Sequence, residues 1–206
     1  MKTLFIPVKS KTNLNSKKVL EISSKLPKNI AIAYSIQYKE IALEVQKILS
    51  NNHKITKITQ VLGCSKPIFP KPTNAILIIT DGKFHATSLA FETKLPVYIL
   101  NSNKLEKISK KDIEVLEKKQ KAAYIKYLSA KEIGILISTK PGQQRLNQAI
   151  EFKKNLKNKK SYLFLANNIN PAEFENFNLN CFVNTSCPRM DLEDSRIINL
   201  NTLNTT

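Results

Sequence analysis

The sequence is poor in glycine, cysteine and arginine, with four, three and three of them among 206 residues. It also contains no apolar run near the roughly 18 residues that a membrane span requires. The apolar stretch at the N-terminus is short, and no small-residue cleavage site follows it, so it does not resemble a signal peptide. We therefore expect a cytoplasmic protein that does not contact a membrane.

The three cysteines are Cys64, Cys181 and Cys187. Structural disulfides are not expected in a cytoplasmic protein. The sequence has no CxxC pair and no clustered spacing typical of zinc sites. Cys181 lies inside the apolar segment Asn180-Cys181-Phe182-Val183, where a cysteine ordinarily acts as a small buried hydrophobic residue.

The formal net charge is +17, and lysine supplies nearly all of the positive charge. Such a charge attracts polyanions or an acidic partner. A bias toward AT-rich codons, which also favours Asn and Ile, explains the same composition. A nucleic-acid-binding protein is an alternative that rests on charge alone, and a steep salt dependence of RNA binding would support it. Since no aromatic-interleaved basic patch or nucleic-acid motif accompanies the lysines, we expect no direct nucleic-acid contact.

Short β-branched runs alternate with amphipathic stretches along the chain, which predicts an α/β fold with mostly parallel sheets. Predicted strands cover residues 4–8, 29–35, 55–62, 75–80, 97–100, 132–138, 161–166, the segment before Cys187, and 196–200. Predicted helices cover residues 36–50, 85–93, 110–131, 143–158 and 171–177. The second half repeats the order of elements of the first half.

This order predicts two similar domains, each a small sheet flanked by helices. We expect an α/β domain at residues 29–112, which carries Cys64, and another at residues 113–206, which carries Cys187. Residues 1–28 are predicted to be a strand followed by a lysine-rich linker.

Two cysteines stand just beyond predicted strands, each with a proline close behind it. The segments are Val61-Leu62-Gly63-Cys64-Ser65-Lys66-Pro67 and Phe182-Val183-Asn184-Thr185-Ser186-Cys187-Pro188-Arg189. Because Pro188 lacks a backbone N–H, the strand cannot continue past it. The strand ends of α/β folds carry binding loops. The matching contexts predict one site built from two similar units.

Three of the four glycines, Gly63, Gly82 and Gly142, mark loops at predicted strand ends. Either each serves a turn with positive φ or a close backbone approach, or they are ordinary turn residues. The turn from Lys140 to Arg145 leads into a predicted helix, whose N-terminus favours an anion. Lys140 and Arg145 are equally compatible with solvated surface charges.

Four motifs in this order resemble the archaeal diphthamide synthesis protein family, over roughly residues 29–198. They are Val61-Leu62-Gly63-Cys64, Asp81-Gly82-Lys83-Phe84-His85, Ile135-Leu136-Ile137-Ser138-Thr139-Lys140-Pro141-Gly142-Gln143 and Val183-Asn184-Thr185-Ser186-Cys187-Pro188-Arg189. Their order and spacing match the second and third domains of that family.

The resemblance implies an S-adenosylmethionine-dependent transferase. In that family three cysteines, one from each of three similar domains, hold a [4Fe–4S] cluster whose open iron binds S-adenosylmethionine. Reductive cleavage then yields a 3-amino-3-carboxypropyl radical, which is added to a histidine of elongation factor 2. This addition is the first step of diphthamide synthesis.

The resemblance implies that Cys64 and Cys187 are cluster ligands, and it gives Cys181 no such role. Strand-end loops of separate domains can supply thiolates that converge on a cluster. Residues expected to contact S-adenosylmethionine are Asp81, Gly82, Lys140, Gly142, Gln143, Arg145 and Arg189. The turn that contains Lys140 would suit the methionine carboxylate, and Arg189 could hold the substrate or lower the pKa of the neighbouring thiol.

The chain lacks the first domain of the family and, with it, the third cysteine. We expect a separate polypeptide to supply both, within a homo- or hetero-oligomer. The alternative is a non-catalytic subunit that binds elongation factor 2 or supports a complete synthase.

Overall fold

A computed structural model describes residues 4, 6, 8–11, 14–62, 66–190 and 194–203 of the chain. The chain divides into two compact units, Met1–Glu114 and Val115–Thr206. The division falls inside one long helix, Lys110–Ser129. No helix among the described residues is long and apolar enough to cross a membrane.

The first unit is built on a five-stranded sheet with the strand order β2-β1-β3-β4-β5. The first four strands run parallel, and β5 pairs antiparallel with β4. The strands are β1 Asn29–Tyr34, β2 Lys54–Gln60, β3 Ala75–Ile79, β4 Val97–Asn101 and β5 Lys104–Lys107. The helices are α1 Ser16–Ser23, α2 Lys39–Leu49, α3 Phe84–Thr93 and α4 Lys110–Ser129, and a 3₁₀ turn, Ile36–Tyr38, precedes α2.

Helices cover both faces of this sheet, which explains why β1 and β3 are apolar at successive positions. Ile30 and Ile32 pack in one cluster with the buried residues of α1 and α2. Ala31 and Ala33 point the other way and pack in a second cluster with α3. The alternation follows from the two-residue period of a strand.

The second unit contains a four-stranded parallel sheet with the strand order β7-β6-β8-β9. Its strands are β6 Glu132–Ser138, β7 Lys160–Ala166, β8 Phe182–Asn184 and β9 Ile197–Asn199, and its helix α5 is Leu146–Asn155. Pro171–Phe177 is a 3₁₀ helix, and a four-residue helix, Leu200–Leu203, follows β9. The α/β class with mostly parallel sheets flanked by helices is confirmed.

The prediction of a lysine-rich linker up to residue 28 is wrong for residues 16–23. Asn15 caps α1, since its Oδ1 accepts a hydrogen bond from the Lys18 backbone N–H at 3.1 Å. Val19 is 1% exposed and packs in the same hydrophobic cluster as the buried residues of α2. The apolar spacing of this helix was obscured by its lysines.

The predicted strand at residues 4–8 falls partly on Phe5 and Pro7, which lie outside the described residues. Leu4, Ile6 and Val8 are exposed and lie outside regular secondary structure. Strand β5 was not predicted, because it is only four residues long and three of them are charged.

The matching contexts of Cys64 and Cys187 do not correspond to equivalent positions in the two sheets. Both sheets place their second strand in sequence at one edge and their third strand inside. Cys64 follows the edge strand β2, whereas Cys187 follows the inner strand β8. The shared strand-Cys-Pro context therefore does not mark equivalent strands of the two sheets, because local context does not specify which strand of a repeat precedes the cysteine. That the two loops contribute to one site stays a prediction.

Candidate functional site

The carboxyl ends of β6 and β8 form the centre of the candidate site in the second unit. These strands are neighbours and pair in parallel, with Leu136 opposite Asn184. The Thr185 backbone N–H and side-chain hydroxyl both donate to the Leu136 carbonyl, at 3.1 and 2.9 Å. The pairing thus continues one residue past β8, and the loop that carries Cys187 starts from a rigid position.

Asn184 holds this loop through its side-chain amide. Its Nδ2 donates to the Cys187 carbonyl at 2.8 Å, and its Oδ1 accepts from the Ser186 backbone N–H at 2.9 Å. Asn184 is 2% exposed, so its side of both bonds is shielded from water. The Met190 N–H also donates to the Cys187 carbonyl, at 3.3 Å. The backbone on either side of the thiol is therefore fixed by hydrogen bonds.

Asn199, at the end of β9, completes the support of the loop. Its Oδ1 accepts from Asn184 Nδ2 at 2.7 Å, and its own Nδ2 donates to the Pro188 carbonyl at 3.0 Å. The register places Asn184 and Asn199 opposite each other. No motif in the sequence pointed to this residue, although a polar residue at the end of an apolar strand is a usable signal.

The loop after β6 is joined to the loop after β8 by a pair of serines. The Ser138 N–H donates to Ser186 Oγ at 2.7 Å. Ser138 Oγ accepts from the Lys140 N–H at 3.2 Å and donates to the Asn167 carbonyl at 3.2 Å. The start of the predicted anion-binding turn is therefore anchored to the Cys187 loop.

The predicted residues Lys140, Gly142, Gln143 and Arg145 lie in this loop between β6 and α5. The Gln143 N–H donates to the Lys140 carbonyl at 3.0 Å, and Gly142 has φ +78°, as expected for a glycine in such a turn. The helix begins at Leu146 rather than at residue 143, with Arg145 as its N-cap residue. It ends at Asn155 rather than at residue 158.

Arg145 reaches the Cys187 loop. It lines a cavity of only about 10 Å³, which has room for no more than one water molecule, together with Asn184, Thr185, Ser186, Pro188 and Asn199, among other residues. A guanidinium group beside polar side chains and a strand-end loop favours a carboxylate or phosphate group. The structure thus brings Arg145 to the loop of the predicted ligand Cys187.

The two described cysteines differ in exposure. Cys187 is partly exposed, whereas Cys181 is fully buried immediately before β8. Burial raises the pKa of the Cys181 thiol to about 11, with Lys159 and Lys126 opposing the shift. A metal ligand must be a thiolate, so Cys181 fits the core role and Cys187 fits a ligand role. Arg189 is exposed two residues beyond Cys187.

The predicted residues of the first unit lie at the carboxyl end of β3. Asp81 and Gly82 are both exposed there, and Gly82 has φ +71°. The pKa of the neighbouring Tyr38 is raised, first by burial and then by its hydrogen bond to Asp81. Gly63 and the predicted ligand Cys64 lie outside the described residues. Among the residues the structure does describe, no group of three or more His, Cys, Asp or Glu could hold a metal ion.

Comparison with known proteins agrees with the resemblance drawn from the motifs. Residues 1–197 match the diphthamide synthesis protein family, and the chain belongs to that family. The 2-(3-amino-3-carboxypropyl)histidine synthase of Methanocaldococcus jannaschii is 31% identical over 208 residues, which cover 94% of this chain and 57% of that protein. The protein of the same name from Pyrococcus horikoshii is 27% identical, over 93% of this chain and 60% of that protein.

Two crystal structures of Dph2 from Pyrococcus horikoshii share the fold. The first matches with a TM-score of 0.77 and 25% identity, and covers 90% of this chain and 60% of that chain. The second, described as containing a 4Fe-4S cluster, matches with a TM-score of 0.77 and 24% identity, over 93% of this chain and 61% of that chain. The chain thus spans about 60% of the length of these relatives.

Proposed function

We propose that this chain forms part of a 2-(3-amino-3-carboxypropyl)histidine synthase. In this proposal, the 3-amino-3-carboxypropyl group of S-adenosylmethionine is transferred to a histidine of elongation factor 2. The proposal rests on membership of the diphthamide synthesis protein family together with one observation: a partly exposed thiol, Cys187, on a strand-end loop that Asn184 and Asn199 hold rigidly.

Cys187 and Cys64 are the proposed ligands of a [4Fe–4S] cluster. The bound cluster would supply the electron that cleaves the carbon–sulfur bond of S-adenosylmethionine. Two thiolates are an incomplete ligand set for a cubane cluster, and the third cysteine of this chain, Cys181, is buried with a raised pKa. The remaining thiolate would therefore come from residues outside this sequence, which we expect to lie on a separate polypeptide.

Arg145 and the loop that starts at Lys140 are proposed to bind the methionine carboxylate. The side chain of Arg145 offers a planar pair of N–H donors that matches a carboxylate. Lys140 adds a positive charge, and the first turn of α5 adds free backbone N–H groups. Arg189, Asp81 and Gly82 remain further proposed contacts of S-adenosylmethionine.

Anaerobic iron–sulfur reconstitution tests this function. The chain would be reconstituted alone and with candidate first-domain polypeptides from the same genome, and EPR spectra would be recorded after dithionite reduction. We expect a [4Fe–4S] signal only with a partner. The signal should disappear in Cys64→Ala and Cys187→Ala and persist in Cys181→Ala, the matched control for loss of one thiol.

The outcomes separate the synthase from the non-catalytic alternative. A cluster that forms with a partner would justify an assay for transfer from labelled S-adenosylmethionine to elongation factor 2. If no pairing yields a cluster, or if Cys181→Ala abolishes the signal as fully as Cys187→Ala, the ligand assignment is wrong. The chain would then be tested as a subunit that only binds elongation factor 2.

A further inference from the structure

A pocket of about 660 Å³ lies in the first unit, beside the carboxyl ends of β3 and β4. Gly82 follows β3, and Ile99 and Asn101 come from β4. Ser102 and Asn103 form the turn into β5, whose first residue is Lys104. Lys18 of α1 lines it from another direction. The volume is within the range of small-molecule sites. Since β4 is three strands away from β2, the pocket is roughly 14 Å from the strand that leads to Cys64.

Contacts between separate elements give the pocket a fixed frame. The Asn15 N–H donates to Asn103 Oδ1 at 3.0 Å, which joins the start of α1 to the β4–β5 turn. Lys83, beyond β3, forms an ion pair with Glu106 of β5. The start of α1, the loop after β3 and the β4–β5 hairpin, which are far apart in sequence, are thus connected by these contacts.

The charges that face the pocket are mostly positive. Lys18, Lys83 and Lys104 line it, and Glu106 is the acidic residue among the lining side chains. Glu106 is paired with Lys83. Within the described part of the chain, neither Lys18 nor Lys104 pairs with a carboxylate. Lys83 is also attracted by the Asp112 carboxylate. The positive charge left for a ligand is therefore that of Lys18 and Lys104, whose ammonium groups have no anionic partner among the pocket's lining residues.

The turn and the loop that border the pocket both use uncommon backbone conformations. Ser102 has φ +54°, a left-handed conformation that costs a non-glycine residue about 1 kcal/mol. It is held there although asparagine residues, which tolerate this region better, flank it on both sides. On the opposite side, a Cβ atom at Gly82 would meet nothing within 4 Å, so the space in front of this backbone is open.

We propose that this pocket, the Lys18–Lys104 pocket, binds the phosphate group of a small phosphate monoester. A phosphate monoester carries nearly two negative charges at neutral pH, which matches the two ammonium groups of Lys18 and Lys104, whereas a carboxylate carries one. Lys18 and Lys104 bind the phosphate oxygens, and the side-chain amide of Asn101 offers a further donor. The apolar side chain of Ile99 contacts the carbon part of the ligand.

Amide NMR of the ¹⁵N-labelled 206-residue chain tests this binding. The chain is titrated at constant ionic strength with glycerol 3-phosphate and, separately, with inorganic phosphate. We expect the amides of Gly82 and of residues 101–104 to shift together and to saturate, with a Kd of about 1 mM for glycerol 3-phosphate. Inorganic phosphate should bind more weakly, since it lacks the carbon part.

A pair of double variants separates a specific pocket from general attraction to a lysine-rich surface. Lys18→Gln with Lys104→Gln should weaken binding about tenfold. Lys25→Gln with Lys71→Gln makes the same change in net charge at exposed positions away from the pocket, and should leave the affinity unchanged. Thermal unfolding checks that all variants fold. The proposal is overturned if the shifts do not saturate below about 20 mM ligand, if both double variants weaken binding equally, or if inorganic phosphate binds as tightly as glycerol 3-phosphate.

Discussion

Replacement of Asn184 by alanine tests whether its side chain organises the Cys187 loop. The substitution removes donation to the Cys187 carbonyl and to Asn199 Oδ1, and acceptance from the Ser186 N–H. Each such bond contributes about 1 kcal/mol net, and the buried Ser186 N–H loses its partner. We therefore expect Asn184→Ala to lower the free energy of unfolding by about 3 to 4 kcal/mol.

Urea unfolding followed by circular dichroism measures this loss, with Asn147→Ala as the matched control. Asn147 is exposed on α5, so its replacement should change the free energy of unfolding by no more than about 0.5 kcal/mol. If the two variants lose equal stability, the proposed role of Asn184 is refuted.

Asn184→Asp gives a second test that a simple loss of packing would not imitate. A carboxylate there would face the Cys187 carbonyl and Asn199 Oδ1, which are both acceptors. The protonated acid can still donate one hydrogen bond. The loss of unfolding free energy relative to the wild type should therefore be smaller at about pH 5 than at about pH 8. An equal loss of stability at both pH values would contradict the reasoning.

Two further predictions concern the core of the second unit. Burial raises the pKa of Cys181 from 9.0 to about 11. Because the folded state favours the protonated thiol, the stability that this thiol contributes is complete below about pH 9 and is lost as the pH rises to about 11. The free energy of unfolding should fall by about 2 to 3 kcal/mol over this range. The Cys181→Ala variant should not show this fall when its unfolding is measured at the same pH values. Gly134→Ala should cost about 2 to 3 kcal/mol in urea unfolding, because the new Cβ would lie 2.4 Å from Phe182 Cδ1 and 2.9 Å from Phe164 Cε2. Gly142→Ala meets no such contact and should cost only about 1 kcal/mol, from its positive φ; an equal cost at both glycines would refute the packing argument.

The sequence by itself determined the elements that carry strong local signals. The apolar runs of β1, β3 and β6 predicted buried parallel strands, because both faces of such strands are covered and every position is apolar. For the glycines at positions 82 and 142 the sequence left open a positive φ, a close backbone approach or an ordinary turn, and the structure shows a positive φ at both. The four motifs in order were enough to assign the family.

Only the tertiary structure decided how these elements combine. The short apolar pattern of α1 follows two lysines in the sequence and did not indicate a helix. The helix is stabilised by burial of Val19 against the rest of the first unit. Asn199 acquired a role only because β9 pairs with β8 and places it opposite Asn184. The pocket at Lys18 and Lys104 joins residues 86 positions apart. Such arrangements depend on which strands become neighbours, and local patterns in the sequence do not encode that choice.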